Sequence, residues 1–394
     1  MRLHLDKDAF RVLIESIHEE TGYRTDVLEK DYYVVLMLEE LAAKQAAGLP
    51  AYFKGGTALY KALKTTHRFS EDIDLSVDTR GCSRTQNDKL LEQTTKKYSA
   101  LPRDPTAGRT NRSEVIAVYT YEPVTPYDAD DALQRFGKLK IEATSFTISE
   151  PVDHLEISAM LYELATEDQK QILEAQYEVK PFTIQTISME RVFIDKLFAA
   201  EAYVRKSSDS YRAFDAAKHI YDLAVVSDNQ KILALLSDTE QMKRLLDIRI
   251  TEERERLDGI PGVMPSEFTF FTATANNAEV RKAYEIMQNQ YVLRDSDRIE
   301  YDEALSALAA IEKKIKINTA WINYRRDLES IGGQRSEDTL EAVNKISQGS
   351  APEKRIPMKD RFAMAKETAA QRDTERAGSA PTPKPPKKDD PSLE

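Results

Sequence analysis

Arg68-Phe69-Ser70-Glu71-Asp72-Ile73-Asp74-Leu75-Ser76 passes from a polar turn into an alternation of apolar and polar residues that continues to Val77. That alternation is the period of a half-buried strand. Side chains two apart on a strand point to the same face, so Asp72 and Asp74 project together while Ile73 and Leu75 enter a core. Two carboxylates on one face form a platform for a divalent cation. They hold Mg²⁺ weakly by themselves, because the ion keeps several waters and takes substrate phosphates as its remaining ligands. A bare Asp-x-Asp arises more often where a strand edge turns its acids to water. Its neighbours must decide between the two readings.

Sixteen residues before Asp72 stands Gly56. The apolar run from Ala51 to Phe53, the pair Gly55-Gly56 and a helical stretch from Ala58 to Leu63 read as strand, glycine turn and helix. Backbone amides in such a turn suit phosphate oxygens, and the Thr57 hydroxyl is adjacent. The glycines could equally do no more than permit a tight bend. A third carboxylate, Glu142, lies in the alternating run Leu139-Lys140-Ile141-Glu142-Ala143-Thr144, with Lys140 on the same face. It would help to hold a metal, or form an outward-facing charged pair with Lys140 on an amphipathic strand.

Around this centre the chain divides by pattern. From Asp6 to Ala47 it reads as two helices, with Phe10, Leu13, Ile14 and Ile17 on one face of the first and Val27, Val34, Leu38 and Leu41 periodic in the second. Val115 to Tyr121, Leu139 to Phe146 and Leu155 to Ser158 read as strands, rich in β-branched and aromatic residues. The expectation is an α+β fold, with a small mixed sheet flanked by helices up to about Pro181. After Ile187 the period becomes helical: Met189 to Lys206, Tyr211 to Val226, Lys231 to Leu236, Thr239 to Leu257, Ala278 to Gln290 and Tyr301 to Asn318. The expected domains are 1–186 around the sheet, 187–350 all-helical, and a disordered tail, 351–394, where Pro381-Thr382-Pro383-Lys384-Pro385-Pro386 sits among charges with no apolar cluster.

Composition narrows the classes. The 394 residues, 41% hydrophobic and 31% charged, suffice for two cores. Neither a signal peptide nor a run of roughly eighteen apolar residues is found, which predicts a cytoplasmic protein without membrane attachment. The one cysteine, Cys82, excludes an intrachain disulfide and a thiolate cluster. A net charge of −11 argues against indiscriminate coating of nucleic acid, so an RNA site must be a local patch. Arg205, Lys206, Arg212 and Lys218, and farther on Lys313, Lys314 and Lys316, are candidates for it, or are ordinary solvated lysines and arginines.

Taken together, Phe53-Lys54-Gly55-Gly56-Thr57-Ala58-Leu59, the Arg68 to Ser76 stretch, Lys140-Ile141-Glu142, Tyr221-Asp222-Leu223 and the early Glu29-Lys30-Asp31-Tyr32 resemble the AbiEii family, the nucleotidyltransferase toxins of type IV toxin–antitoxin systems. The related mycobacterial MenT toxins share this pattern. The resemblance spans about residues 26 to 226. The chain also resembles the wider DNA polymerase beta superfamily, whose Gly-Gly or Gly-Ser precedes Asp-hydrophobic-Asp, although the interval here is longer. The resemblance implies a two-domain nucleotidyltransferase that takes an NTP with Mg²⁺ or Mn²⁺. It further implies an RNA acceptor, the 3′ end of tRNA, and hence a block on translation and growth of the kind used in phage defence. A cognate antitoxin, a winged-helix protein, would be the partner.

Carried onto this chain, the resemblance makes Asp72 and Asp74 metal ligands, places the phosphate turn at Gly55, Gly56 and Thr57, and adds Lys196 and Asp222 as catalytic residues with Glu142. Arg68 and Ser70 fall at the rim of the nucleotide site. Read without it, Lys196 shares a helix face with Phe193, Leu197, Ala200 and Val204, where a lysine either snorkels out or meets an anion. Asp215, Lys218 and Asp222 recur at helical spacing and form either a solvated stripe or part of a site. His219 stands where many relatives carry Asp, and reads as an RNA or phosphate contact. Two other functions keep the same residues: an NTP-binding sensor or interaction module, and a transferase acting on a protein or small-molecule acceptor.

Overall fold

A computed structural model describes residues 1–126, 136–255 and 264–330. Met1–Thr339 forms one compact unit. The expected tail, 351–394, lies outside the described residues.

The two opening helices are α1 (Lys7–Thr21) and α2 (Thr25–Ala46). The Asp6 side chain accepts from Ala9 N at the start of α1, and Gly22, at φ +75°, ends it in the left-handed conformation that suits glycine. Next come β1 (Ala51–Lys54), α3 (Gly55–Lys61), β2 (Ile73–Val77), α4 (Arg84–Thr95), β3 (Arg103–Thr110), β4 (Glu114–Thr120), β5 (Lys138–Thr144) and β6 (Val152–Ile157). The helices α5 (Met160–Leu164) and α6 (Glu167–Tyr177) lead to β7 (Phe182–Ile187). The helical series then runs α7 (Met189–Arg205), α8 (Ser210–Val226), α9 (Gln230–Leu235), α10 (Thr239–Glu255), α11 (Phe270–Ala273), α12 (Ala278–Tyr291) and α13 (Tyr301–Ser330).

The strands make a seven-stranded sheet in the order β3-β4-β5-β2-β1-β7-β6. Pairings β2–β5 and β1–β7 are parallel and the others antiparallel, so the sheet is mixed and the fold α+β. Alternation sorts the central strands into two faces. Phe53, Ile73, Leu75 and Ile141 are buried, while Lys54, Asp74, Lys140 and Glu142 on the opposite face are partly exposed. That second face meets the helical half of the chain, where α8 packs against α7, α12 and α13 and α7 reaches α3.

The sheet is larger than the sequence predicts. β7 begins after Pro181, where the strand pattern was expected to stop, and pairs with both β1 and β6. β3 has Pro105 and Gly108 in its middle, with a register shift between Asp104 and Gly108, and it survives because an edge strand needs only one set of ladder bonds.

Candidate active site

Asp74 stands directly opposite Lys54 of β1 and Glu142 of β5. Asp72 lies two residues earlier, at the entry to β2. Lys140 Nζ is 2.7 Å from Asp72 Oδ2 and 3.8 Å from Glu142 Oε2, so one ammonium sits among the carboxylates. Burial, reinforced by Glu142 and Asp72, pushes the Asp74 carboxyl up to about 7 against the opposing pull of Lys54 and Lys140. Burial works against the Lys140 charge too, but Asp72, Asp74 and Glu142 together hold it above its ordinary value. Crowded acids that a lysine neutralises only in part are a place where added positive charge is favoured.

The glycine turn lies against these acids. Gly55 has φ +79°, and a Cβ built on it would come within 2.2 Å of Asp74 Oδ2. A Cβ on Gly56 would come within 2.9 Å of Arg68 Nη2 and of Ser70 Oγ. Both positions exclude a side chain because the functional groups already occupy the space. The Thr57 hydroxyl is buried beneath the turn, 2.9 Å from Ser70 Oγ and hydrogen-bonded to the Asp72 carbonyl. It ties the start of α3 to the strand entry that carries the aspartates.

Lys196 and Asp222 meet in the same region. Lys196 Nζ is 2.7 Å from Asp222 Oδ2, and Arg68 donates to both Asp222 oxygens, from Nε at 2.7 Å and from Nη2 at 2.8 Å. Asp222 is 1% exposed, so burial would raise its carboxyl; Arg68 and Lys196 outweigh that and hold it below the usual carboxylate range. Both open readings from the sequence are thereby decided: Lys196 meets an anion, and Asp222 leaves the solvated stripe. His219 stacks on Tyr203 with ring centroids 5.3 Å apart and planes 6° apart. Burial and then Lys196 keep its imidazole well below the ordinary histidine value, and among the described residues Nδ1 has no hydrogen-bond partner.

A cavity of about 280 Å³ joins these groups, with Lys54, Gly55, Gly56, Asp74, Glu142, Lys196 and His219 on its wall. Three further groups there escaped the sequence reading. Lys54 donates to Thr144 Oγ1 at 3.0 Å. Asp195 and Arg249 are 3.2 Å apart. Its place directly before Gly55 was a usable signal for Lys54. For Arg249 there was none, because α10 joins the cavity only through tertiary packing. Among the proposed basic patches, Arg205 pairs with Glu201, Arg212 and Lys218 with Asp215, and Lys316 with Glu312.

Among the described residues no three His, Cys, Asp or Glu side chains form a ready-made metal cage. The donor set fits a divalent cation of the Mg²⁺ type all the same, since such an ion needs only one or two carboxylates when phosphate and water complete its shell.

A family model described as nucleotidyl transferase AbiEii toxin, type IV TA system, matches residues 37–309. No curated protein matches the chain. Solved structures similar to it include MenT4, a nucleotidyltransferase toxin from Mycobacterium tuberculosis, at 15% identity and a TM-score of 0.37, covering 76% of this chain and 98% of that one. Another is JHP933 from Helicobacter pylori, at 14% identity and a TM-score of 0.36, covering 79% and 99%. A third, described as a putative nucleotidyltransferase from H. pylori, has 14% identity and a TM-score of 0.34, covering 74% and 94%.

Proposed function

We propose, for a chain that belongs to the AbiEii family of nucleotidyltransferase toxins, that it transfers a nucleotide from an NTP to an RNA acceptor, the 3′ end of tRNA. The observation that carries this reading is the convergence of Asp74 and Glu142 with the Gly55-Gly56 turn and Lys196 at one cavity, with Asp72 joined to them through Lys140.

Asp72 and Asp74 would hold the divalent metal, with Glu142 in support; when bound, the metal supplies charge neutralisation at the reacting phosphate. Gly55 and Gly56 bring bare backbone close to the triphosphate where any side chain would collide with Asp74, Arg68 or Ser70. Lys196 neutralises phosphate charge. It can leave Asp222 for a phosphate oxygen because Arg68 alone still makes two hydrogen bonds to that carboxylate. The protein's contribution is therefore positioning and electrostatics, the terms that dominate phosphoryl-type displacements. Asp74 must be ionised to bind a cation, and the arriving positive charge favours that ionisation.

Family membership implies an NTP substrate and an antitoxin partner. Blocked tRNA ends would stop translation, which gives the toxic outcome and a place in phage defence, and a winged-helix protein is the proposed antitoxin. Among the described residues no helix is long and apolar enough to cross a membrane. The test is incubation of purified protein with each labelled NTP, Mg²⁺ and total bacterial RNA. Label on tRNA is the expected result; binding of NTP with no labelled acceptor supports a sensor instead.

A further inference from the structure

The cavity continues beyond the acids, away from Asp72 and Lys140. Along the parallel pair β2 and β5 the register passes from Asp74↔Glu142 to Ser76↔Thr144, and Ser76 Oγ lies 2.6 Å from Thr147 Oγ1. Phe146 and Thr147 therefore line the cavity past the carboxylates. Facing this region, α7 contributes Val192, Asp195 and Ala199, and α10 contributes Arg249. Phe146, Val192 and Ala199 give an apolar wall suited to a flat ring, and Asp195 is the carboxylate set into it.

The Asp195 charge is fixed by its surroundings. Arg191 Nε and Arg249 Nη1 each donate to Oδ1 at 3.2 Å, so both guanidinium bonds end on one oxygen. Arg191 is in turn anchored by Glu252 at 2.6 Å and donates to the Ile148 carbonyl at 3.3 Å, which ties α7 and α10 to the loop carrying Phe146. Burial opposes ionisation of Asp195, yet Arg191, Arg249 and Lys54 hold it in the charged form. Among the described residues both guanidinium bonds to Asp195 end on Oδ1, which leaves Oδ2 as the oxygen for a ligand.

We propose that this end of the cavity is the base subsite, in which Asp195 Oδ2 accepts a hydrogen bond from the exocyclic amino group of a cytosine, adenine or guanine nucleotide and disfavours uridine nucleotides. The proposal rests on the nucleotidyltransferase reading of the cavity and adds its substrate class. Uracil carries no exocyclic amino group, and its ring N3–H is flanked on both sides by carbonyl oxygens that would crowd a fixed carboxylate. A site built around a charged acceptor rejects an analogue that lacks the donor.

The experiment is calorimetric titration of the full-length protein with ATP, CTP, GTP and UTP in Mg²⁺ without RNA. The tightest amino-bearing nucleotide should bind roughly tenfold or more tightly than UTP, the scale of one hydrogen bond to a charged group. Asp195→Asn, which offers uracil an N–H donor, should narrow that gap. UTP binding as tightly as the best of the others overturns the base subsite, and so does a folded Asp195→Asn protein with an unchanged ranking. If the variant does not fold, the wild-type ranking alone decides. If no NTP binds, it is the nucleotide reading of the cavity that fails.

Discussion

Asp222 of α8 accepts two hydrogen bonds from the Arg68 guanidinium, which reaches it from the segment just ahead of the strand bearing Asp74. The pair, 1% and 4% exposed, is a buried link between the sheet and the helical half. Because Arg68 also limits the space above Gly56, the link holds the glycine turn in place as well as the two halves of the chain.

From that link follows a separation of stability from rate. Asp222→Ala leaves two buried cations without their partner and should cost about 3–5 kcal/mol in urea unfolding, the usual loss when one side of a buried ion pair is removed. Lys196→Ala leaves the Arg68–Asp222 bonds intact, so it should melt close to wild type while transfer falls on the order of a hundredfold, the scale for a lost preorganised electrostatic donor. Equal destabilisation by both substitutions would make Lys196 a structural residue only.

Gly55 and Gly81 offer a matched comparison, with φ of +79° and +76°. Alanine at either position should cost about 1–2 kcal/mol for the left-handed backbone. Only at Gly55 does the new Cβ meet a functional atom, Asp74 Oδ2, whereas nothing lies within 4 Å of the Cβ at Gly81. Gly55→Ala should therefore lose transfer and Gly81→Ala keep it. The check is paired rate and unfolding measurements; an active Gly55→Ala protein would remove the turn from the site.

The raised Asp74 carboxyl makes metal-free stability depend on pH. The folded chain retains a proton on Asp74 up to about 7, while the unfolded chain releases it near the ordinary aspartate value of 3.8. Between those values the folded state binds more protons, so the Asp74 contribution is present at low pH and is lost as pH rises through about 7. Thermal melts without metal should show wild type losing stability across this window relative to Asp74→Asn, with Mg²⁺ reversing the loss at neutral pH. Parallel pH profiles for the two proteins would contradict it.

Much of the fold was legible because its signals are local. The two opening helices and the series from α7 onward follow apolar periodicity, and β2, β4 and β5 follow alternation. What escaped depended on tertiary context: β3, with Pro105 and Gly108 inside it, is held by its pairing with β4, and β7 by its pairing with β1 and β6. In the candidate site, Asp72, Asp74, Glu142 and the glycines were visible as spaced residue types. Which oxygen of Asp222 meets which cation, and that Arg249 of α10 reaches the cavity beside Asp195, depends on helix packing that no spacing encodes. Lys140 shares the face of Glu142, as its spacing predicts, but its closer partner, Asp72, lies just ahead of β2.

The most direct measurement uses Asp72→Asn and Asp74→Asn proteins in the labelled-NTP assay with Mg²⁺ and total bacterial RNA, with thermal melts in parallel. Each substitution removes a ligand of the proposed metal while relieving repulsion among the acids, so both proteins should melt near wild type and label no RNA. If either labels RNA as well as wild type does, the carboxylate platform is not the catalytic centre.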